Sequence, residues 1–549
     1  MTPHATTGER AGRREWTGLA VLSLPTLLLS LDMTVLHFAV PKLSADLAPS
    51  STQLLWIVDI YGFLIAGFLI IMGTLGDRIG RRRLLLTGAA AFGVASVLAA
   101  MSDSAGMLIA TRALLGLAGA TLMPSTMSLI RNMFHDPQQR TVAISVWMSS
   151  FMLGAGAGPL VGGAMLEHFW WGSVFLLGVP VMVLLLVAGP FLLPEFRDPT
   201  AGRIDVVSAA LSLGTVLSVV YGIKQTAEHG VGLVPVLAAL AGLALGVVFV
   251  RRQRTLATPF LDLKLFHSRG FTVSLTTVAL SIFAMGGVIF FVAQYLQMVL
   301  DMSPFTAGLY SLPGVLAGMV GILAAPALAQ RVPAAYLMGG GLLVAALGVG
   351  TLATITPESG AGTAVTALVV LHLGFGPMIA LGTDMIIAGA PPERAGAASA
   401  ISETGTEMGM ALGIAVLGSV GAAIYRAEVG GLLPAGLPPE ATDVAGDTIG
   451  GAAGAAEQLP SALGAALMDA AGQAFVTGLR TTAAVSAVIV AVLAVAATVL
   501  LRGVTPGDGG GHGEPPAGDD GPQARGDGPQ AHGDGPQVDP APEPAEAGR

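Results

Sequence analysis

Two glutamates four positions apart interrupt an otherwise apolar stretch, AISETGTEMGMALG at residues 400–413. On a helix, this spacing places the carboxyl groups of Glu403 and Glu407 on one face, a single turn apart. No lysine or arginine adjoins them. A charge at the centre of a membrane-spanning helix costs about 3 kcal/mol, so such groups usually face an aqueous cavity or carry a proton. Two acids on one face therefore predict a site that binds a cation and holds protons when it is empty.

Three further carboxylates fall within apolar stretches, namely Asp32, Asp59 and Asp384. Burial in a low dielectric favours the neutral form of a carboxyl group, which lets it exchange a proton within the pH range of a cell. Asp59 lies only about two turns inside its stretch, so an interfacial position is the alternative. Asp384 could instead cap a helix near residues 389–396. All five acids are candidates for proton coupling or for binding the charge of a cationic substrate.

Aromatic side chains in the same stretches offer faces on which flat lipophilic cations could stack. Aromatic residues in membrane helices more often only pack, and packing is the alternative for each of them. They are Trp56, Tyr61, Phe290, Phe291 and Tyr295.

The composition is that of a membrane protein with many spans. Of 549 residues, 53% are hydrophobic and 11% are charged, and the mean hydropathy is +0.74, whereas soluble chains carry about 25% charged residues. The chain has no cysteine, which excludes disulfides and thiolate metal sites. None of the three lysines, Lys42, Lys224 and Lys264, follows a glycine. The chain therefore lacks the G-x-x-x-x-G-K-[ST] loop, and work driven by ATP bound in that way is excluded.

Apolar stretches of about 18–25 residues match the length of membrane-spanning helices. We predict an all-α polytopic membrane protein with fourteen such spans. They cover residues 17–37, 53–74, 83–102, 106–130, 141–163, 171–193, 204–223, 232–250, 271–294, 305–328, 335–355, 362–388, 398–423 and 480–501.

The distribution of positive charge predicts the orientation, because lysine and arginine concentrate in cytoplasmic segments. If both termini are cytoplasmic, all but five of the 26 lysines and arginines lie in cytoplasmic segments. Lys42, Lys224, Arg426 and Arg480 fall on the outer side, and Arg112 falls at a helix start. The asymmetry supports an even number of spans, since the loss of one span would exchange the two sides.

Two pairs of similar stretches, each pair separated by nearly the same number of residues, indicate an internal repeat. LGDRIG at 75–80 matches LAQRVP at 328–333, and PQQR at 137–140 matches PPER at 391–394. Duplicated helix bundles around a central path are typical of transporters. The predicted parts are a cytoplasmic N-terminal segment (1–16), an N-terminal six-helix half (17–193), two inserted helices (204–250) and a C-terminal six-helix half (271–501).

Two segments are predicted to lie outside the membrane. Residues 424–479 form a long outer loop rich in glycine and alanine, in which 460–478 could form short amphipathic helices, arranged as a hairpin on the surface. Residues 504–549 repeat GPQ and are rich in glycine, proline and aspartate. Because that composition cannot bury a core, we expect a disordered cytoplasmic tail. The first apolar stretch, near residue 17, has no small-residue cleavage site and is expected to be a retained helix.

The stretch GTLGDRIGRRRLLL at 73–86 joins the second and third predicted spans. Its glycines permit close helix approach and a tight turn, and Asp77 can cap a helix or pair with arginine. Arginines alone would indicate only a cytoplasmic anchor. The ordered pattern G-x-L-x-D-R-x-G-R-R, however, resembles the signature loop of the major facilitator superfamily. The resemblance implies a role in conformational gating for Gly73, Asp77, Arg78, Gly80 and Arg81.

The stretch GAGAGPLVGG at 154–163 matches G-x-x-x-G-P-x-x-G-G, which is similar to the antiporter motif of the drug-exporting branches of that superfamily. Gly154, Gly158 and Gly162 recur every four residues and form a groove for another helix. Pro159 removes one backbone hydrogen bond and bends the helix. Ordinary helix packing is the alternative to the gating role that the resemblance implies for these four residues.

Two more stretches carry the resemblance. LDMTVLHFAVP at 31–41 resembles L-D-x-T-V-x-N-x-A-x-P of the fourteen-helix drug:proton antiporters, with His37 where that family usually has asparagine. ATRALLGLAGA at 110–120 resembles a motif whose buried arginine takes part in proton coupling, and Arg112 holds the matching position. The alternative for Arg112 is an interfacial arginine whose head group reaches the membrane surface.

The resemblance extends from about residue 17 to 501 and includes PPERAGAASAISETGTEMG at 391–409. It implies proton-coupled efflux of drugs, antibiotics or lipophilic cations across the plasma membrane, driven by the proton gradient without a cofactor. It also implies that the chain is no enzyme, contacts lipids and small molecules but no nucleic acid, and is a monomer. Three alternatives stay open: export of one endogenous metabolite, proton-coupled import, which the antiporter motif disfavours, and a membrane sensor that does not transport.

Overall fold

A computed structural model describes residues 11–197, 205–256, 259, 261, 263–390 and 395–503, and this part of the chain contains helices but no β-strand. A 3-10 turn, Leu263–His267, precedes α10, and a π-helical turn, Tyr295–Val299, continues it. The helices are α1 (Arg13–Leu47), α2 (Ser51–Ile79), α3 (Arg81–Ala100), α4 (Ala105–Met133), α5 (Pro137–His168), α6 (Ser173–Leu176), α7 (Gly178–Leu192), α8 (Val206–His229), α9 (Leu233–Thr255), α10 (Arg269–Gln294), α11 (Pro304–Ala329), α12 (Ala334–Leu352), α13 (Ala361–Ala388), α14 (Ala395–Leu432), α15 (Pro439–Asp447), α16 (Ile449–Ala456) and α17 (Ser461–Leu500).

Fourteen helical spans in the described residues are long and apolar enough to cross a membrane, which confirms the predicted number. The short α6 and the following α7 form one of these spans. Helices α1–α7 form one six-helix half, α10–α14 and α17 form the other, and α8 and α9 are the inserted pair. Helices α15 and α16 lie in the connection between α14 and α17. We call the end of the bundle that carries α15 and α16 the loop end, and the opposite end, where α2 joins α3, the arginine end.

The predicted outer loop at 424–479 is wrong at both of its ends. Helix α14 continues to Leu432, and α17 begins at Ser461 and runs unbroken for 40 residues. The expected surface hairpin at 460–478 is therefore wrong, because those residues form the first turns of α17. Proline explains the true ends: Pro434 follows α14, Pro460 precedes α17, and no proline lies inside α17.

The remaining loop packs on the bundle. A Cβ atom added at Gly450 of α16 would clash with Ser44, so α16 lies directly against the end of α1. The hydroxyl of Tyr425 on α14 donates a hydrogen bond of 2.7 Å to the carbonyl oxygen of Ala445 on α15. The two short helices therefore connect the ends of α1 and α14.

The glycine-rich groove of α5 holds α1. Added Cβ atoms at Gly154 and Gly158 would clash with Leu27 and Thr34, and one at Gly162 would lie 2.7 Å from Val35. These approaches are possible only because the three positions have no side chain. The predicted groove exists, and its occupant is a helix of the same half.

The inserted helices α8 and α9 form a tight pair. Added Cβ atoms at Gly222 and Gly242 would lie 2.7 Å and 2.8 Å from backbone oxygens of the facing helix. At the arginine end, Asp205 caps α8 and forms an ion pair of 2.9 Å with Arg252 of α9. Burial acts to raise the pKa of the Asp205 carboxyl, but hydrogen bonds from Ser208 and Arg252 outweigh it and lower that pKa.

Some predictions fall outside the described residues. They concern the tail at 504–549, the PPER stretch at 391–394 that supports the internal repeat, and the first ten residues of the N-terminal segment. The boundaries assigned to the halves and segments likewise stay predictions.

We expect Gly154→Ala to destabilise the protein, since the new methyl group would clash with the backbone of Leu27. Overpacking of this kind costs about 1–3 kcal/mol, and thermal unfolding in detergent should show a lower midpoint. Gly340→Ala in α12 is the matched control because nothing lies within 4 Å of its added methyl group. Both variants gain the same helix propensity, so equal midpoints would contradict the close packing of α1 and α5.

Candidate functional site

A buried ion pair lies at the centre of the N-terminal half. The guanidinium Nη1 of Arg112 on α4 is 2.7 Å from the carboxylate Oδ2 of Asp32 on α1. The Arg112 side chain is 1% exposed, whereas that of Asp32 is 12% exposed. Arg112 is the eighth residue of α4, and its head group points into the bundle. The alternative of an interfacial arginine is therefore wrong, because Asp32 compensates the charge inside the protein.

Aromatic rings complete the surroundings of Arg112. Its guanidinium carbon is 4.4 Å from the centre of the Tyr61 ring on α2 and 5.8 Å from that of Phe175 on α6. Its Nε donates a hydrogen bond of 3.2 Å to the carbonyl oxygen of Ile57. A delocalised cation between a carboxylate and two rings is well stabilised in a low dielectric.

The two glutamates of α14 differ in their environments. Glu403 is partly exposed, whereas Glu407 is buried and its Oε2 has no hydrogen-bond partner. Within the described part of the chain, neither glutamate forms a salt bridge. An unpaired buried carboxylate is costly as an anion. Either a proton or a bound cation would remove that cost.

The Arg112 cluster and Glu407 meet where the two halves contact each other. Both Asp32 and Glu407 interact electrostatically with Tyr61 of α2, whose buried hydroxyl has no hydrogen-bond partner. One residue further along, a Cβ atom added at Gly62 would lie 3.4 Å from Ala411, one turn beyond Glu407. Tyr61 therefore links Asp32 and Arg112 with Glu407, and Glu403 lies one turn from Glu407 on α14.

Asp59 lies in a separate site. Its Oδ2 is 2.8 Å from Nζ of Lys224 on α8, and neither side chain is exposed to solvent. The same ammonium nitrogen lies 3.8 Å from the centre of the Trp56 ring. The side chain of Asp59 therefore faces the protein interior and not solvent. The side chain of Lys224 folds into the bundle and pairs with this acid, and its expected place on the outer side of the membrane stays a prediction.

Asp384 lies apart from these contacts, whereas His37 interacts electrostatically with Arg112. Asp384 is exposed near the arginine end of α13. His37 is buried on α1, its Nδ1 has no hydrogen-bond partner, and its ring lies 6.4 Å from that of Phe290 on α10. His37 therefore sits between the two halves.

The signature loop is held by charge. Nη2 of Arg81 is 2.6 Å from Oδ1 of Asp77, and its Nη1 donates a hydrogen bond of 3.3 Å to the carbonyl oxygen of Pro124 on α4. Gly80 has φ +115°, a conformation that favours glycine, and an added Cβ atom would clash with Glu195. Glu195 also accepts a hydrogen bond of 3.1 Å from the backbone N–H of Arg82.

The remaining gating candidates of this loop occupy different positions. Gly73 lies close to Pro124, since an added Cβ atom would be 3.9 Å from that ring, and Arg78 is exposed. The gating roles inferred from the resemblance stay predictions.

The halves are closed against each other toward the loop end. An added Cβ atom at Gly163 of α5 would lie 2.5 Å from the backbone of Phe305 on α11, and one at Gly308 would clash with the backbone of Pro159. On the opposite side of the bundle, an added Cβ atom at Gly418 of α14 would lie 2.6 Å from Leu55 of α2.

Polar contacts reinforce both closures. Arg426 of α14 donates hydrogen bonds to the hydroxyl of Ser51 on α2 and to the carbonyl oxygen of Ala227 on α8. Ser303, which caps α11, donates a hydrogen bond to Glu167 of α5. The halves can separate at the loop end only if these contacts break.

Sequence reasoning missed three of these participants: Lys224 as a partner of Asp59, Phe175 beside Arg112, and Glu195 at the signature loop. Lys224 alone carried a usable signal, since it is one of three lysines and lies at the end of an apolar stretch. The aromatic candidates Tyr61 and Trp56 do face cations, but those cations belong to the protein itself. Among the described residues, no cluster of histidine and acidic side chains could hold a metal ion.

Comparisons with known proteins agree with these motifs. A family model described as Major Facilitator Superfamily matches residues 22–414. The chain is 47% identical over 498 residues to the multidrug efflux pump LfrA of Mycolicibacterium smegmatis, covering 91% of this chain and 97% of the relative. It is 36% identical over 466 residues to the methyl viologen resistance protein SmvA of Salmonella typhimurium, covering 84% and 93%. It is 32% identical over 508 residues to the tetracenomycin C resistance and export protein of Streptomyces glaucescens, covering 90% and 93%.

Solved structures share the fold. A bacterial homolog of the human lysosomal transporter Spinster aligns with a TM-score of 0.63 at 18% identity, covering 90% of this chain and 98% of the other. The peptide transporter POT in complex with sulfate aligns with a TM-score of 0.58 at 18% identity, covering 89% and 96%. At these identities the likeness concerns the fold alone.

We expect Asp77→Asn to lower substrate transport at least tenfold while membrane insertion stays normal. The change removes the charge that holds Arg81, whereas Glu195 still anchors the neighbouring backbone. Transport should be measured in membrane vesicles with the amount of inserted protein quantified. Asp103→Asn, at an exposed position between α3 and α4, is the control. Full activity of a normally inserted Asp77→Asn variant would contradict a gating role for this loop.

Proposed function

The chain belongs to the major facilitator superfamily, and we propose that it exports drugs, antibiotics or other lipophilic cations from the cell in exchange for protons. Two of its relatives are named a multidrug efflux pump and a methyl viologen resistance protein. Each aligns with more than four-fifths of this chain. These relatives support efflux of small molecules.

The observation that carries the proposal is the unpaired, buried carboxyl group of Glu407 between the two halves. Such a group is stabilised either by a proton or by a cation, and the two would compete for it. Glu403 lies one turn away on the same helix and is partly exposed, so it offers a first contact for an entering cation. Competition for one site is the simplest way to exchange a cation for a proton.

Alternating access supplies the route of transport, and the proton gradient sets its direction. In the proposed cycle the halves rock about the central site, as in transporters built from repeated bundles. A cation enters from the arginine end and binds the glutamates, and the contacts at the loop end then separate. Protons from the outside displace the cation, and the protonated site returns and releases its protons into the cytoplasm.

The other predicted acids receive different roles in this proposal. Asp32 is the second coupling acid in this proposal, because it is the more exposed partner of the ion pair with Arg112. Asp384 is exposed near the arginine end and would attract cations before they bind. Asp59 is occupied by Lys224 and takes no direct part in coupling.

The proton gradient is the proposed source of energy, and no cofactor is required. We propose that the protein is a monomer in the plasma membrane, in contact with lipids and not with nucleic acid. The arginine-rich segments at one end of the bundle support a cytoplasmic location of that end and of both termini. The loop end then faces the outside.

Export of one endogenous metabolite is the second candidate. It is favoured by the relative that is named a tetracenomycin C resistance and export protein. Transport of a panel of dyes, monovalent and divalent organic cations and neutral metabolites would separate the two. A single accepted compound would favour the dedicated exporter.

We expect Glu403 and Glu407 to contribute unequally to coupling. One remaining carboxylate can hold one proton or one monovalent cation, whereas a divalent cation requires both. Glu403→Gln or Glu407→Gln should therefore lower efflux of divalent cations several-fold more than efflux of monovalent ones. The double variant should stop proton-coupled efflux of both. The measurement is efflux in inverted membrane vesicles over a series of pH values.

The control is Glu457→Gln, an exposed acid that follows α16, which should transport as the wild type does. If the double variant exports both kinds of cation with the pH dependence of the wild type, the two glutamates are not the coupling site. Asp32 would then be the leading candidate. A wild-type protein that moves no compound of the panel would contradict the transport proposal itself.

A further inference from the structure

The inserted helix α8 packs over the contact between α2 and α14, where the two halves must separate. It contacts α2 of the N-terminal half on one side and α14 of the C-terminal half on the other. Val220 of α8 is fully buried in one cluster with Phe63 of α2 and with Ala411 and Ala415 of α14. Since α2 and α14 are in contact toward the loop end, α8 lies across that contact.

Opening of the loop end separates α2 from α14 and leaves α8 with one of them. The contacts on the two sides of α8 differ in kind. Toward α2, the ammonium group of Lys224 forms ion-pair contacts of 2.8 Å and 3.0 Å with the two oxygens of Asp59. The ring of Trp56 covers the same ammonium group at 3.8 Å.

A second contact with α2 lies deeper in the bundle. A Cβ atom added at Gly67 would lie 2.7 Å from Cγ of Leu213, so the side chain of α8 fills the space left by the glycine. The ion pair and this contact are three turns apart along α8. Together they fix both the position and the rotation of α8 on α2.

The contact of α8 with α14 is of a kind that permits sliding. Val220 packs against the methyl groups of Ala411 and Ala415, and the larger side chains of Met408 and Leu412 border the same cluster. All of these side chains are apolar, so they can shift past each other without exposing a charge. At the loop end, Arg426 of α14 also donates a hydrogen bond to the carbonyl oxygen of Ala227 on α8. Arg426 also binds Ser51 of α2, so it belongs to the contacts that must release when the loop end opens.

We propose that the Lys224–Asp59 ion pair fixes the inserted helices to the N-terminal half, so that α8 slides over α14 in each transport cycle. Lys224 is then a positioning residue for transport. It fills a site made of a carboxylate and an aromatic face, the chemistry that would otherwise bind an organic cation. The inference rests on the proposed alternating-access transport.

The absence of cysteine makes the chain a suitable background for cross-linking. The pair Gly67→Cys/Leu213→Cys joins α8 to α2, and the pair Val220→Cys/Ala415→Cys joins α8 to α14. Cβ atoms about 3.5–4.5 Å apart allow a disulfide to form. Cation efflux is measured in vesicles before oxidation, after oxidation and after reduction.

Oxidation of the α2–α8 pair should leave efflux within twofold of the reduced protein. Oxidation of the α8–α14 pair should lower efflux at least tenfold, and reduction should restore it. The opposite pattern would assign α8 to the C-terminal half and overturn the proposal. Loss of efflux on oxidation of both pairs, or of neither pair, would also overturn it.

Charge reversal provides a second, independent measurement. Lys224→Met should lower efflux at least tenfold, and Asp59→Lys/Lys224→Asp should recover it to within threefold of the wild type. If the reversed pair is inserted normally but stays as inactive as Lys224→Met, the carboxyl group is needed at position 59 itself and the attachment role is wrong. The wild type is assayed in the same vesicles, so a failure of the transport proposal is recognised by its own lack of efflux.

Discussion

Every charge buried between membrane helices must be compensated, and this requirement explains most of the polar architecture of the protein. Removal of one partner from a buried ion pair costs about 3–5 kcal/mol, so paired charges fix the helices that carry them. Arg112 and Asp32 join α4 to α1, and Lys224 and Asp59 join α8 to α2. Both cations also lie against aromatic rings, which lowers the cost of their removal from water.

Close packing provides the other part of the architecture. Glycines on α5 admit α1 from the same half, while Gly163 on a neighbouring face meets α11 of the other half. One helix thus carries a contact within its own half and a contact between the halves side by side. Because Pro159 lies between these faces and its backbone touches Gly308, a change in the bend of α5 would alter the contact between the halves. The antiporter motif therefore connects packing within a half to closure between halves.

Much of this fold could be predicted from the sequence because membrane helices are encoded locally. Length and hydropathy defined the fourteen spans, and spacing alone defined the glycine groove of α5 and the shared face of Glu403 and Glu407. The partners of buried charges could not be predicted in the same way. Lys224 and Asp59 are 165 residues apart, and no periodic pattern links them. The ends of α14 and α17 were also missed, since these helices continue beyond their apolar spans into alanine- and glycine-rich sequence.

The buried acids differ in whether a cation of the protein is paired with them. A paired acid holds helices together, whereas an unpaired acid is open to a proton or a bound cation. Asp59 has a fixed cation on its own side of the bundle, so its charge is satisfied in any arrangement that keeps α8 on α2. Asp32 is also paired, but its side chain is 12% exposed, unlike that of Asp59. Glu407 has no cation partner among the described residues and lies where the halves meet. The free energy of Glu407 therefore depends on what occupies the space between the halves, and this dependence is what coupling of a cation to a proton requires.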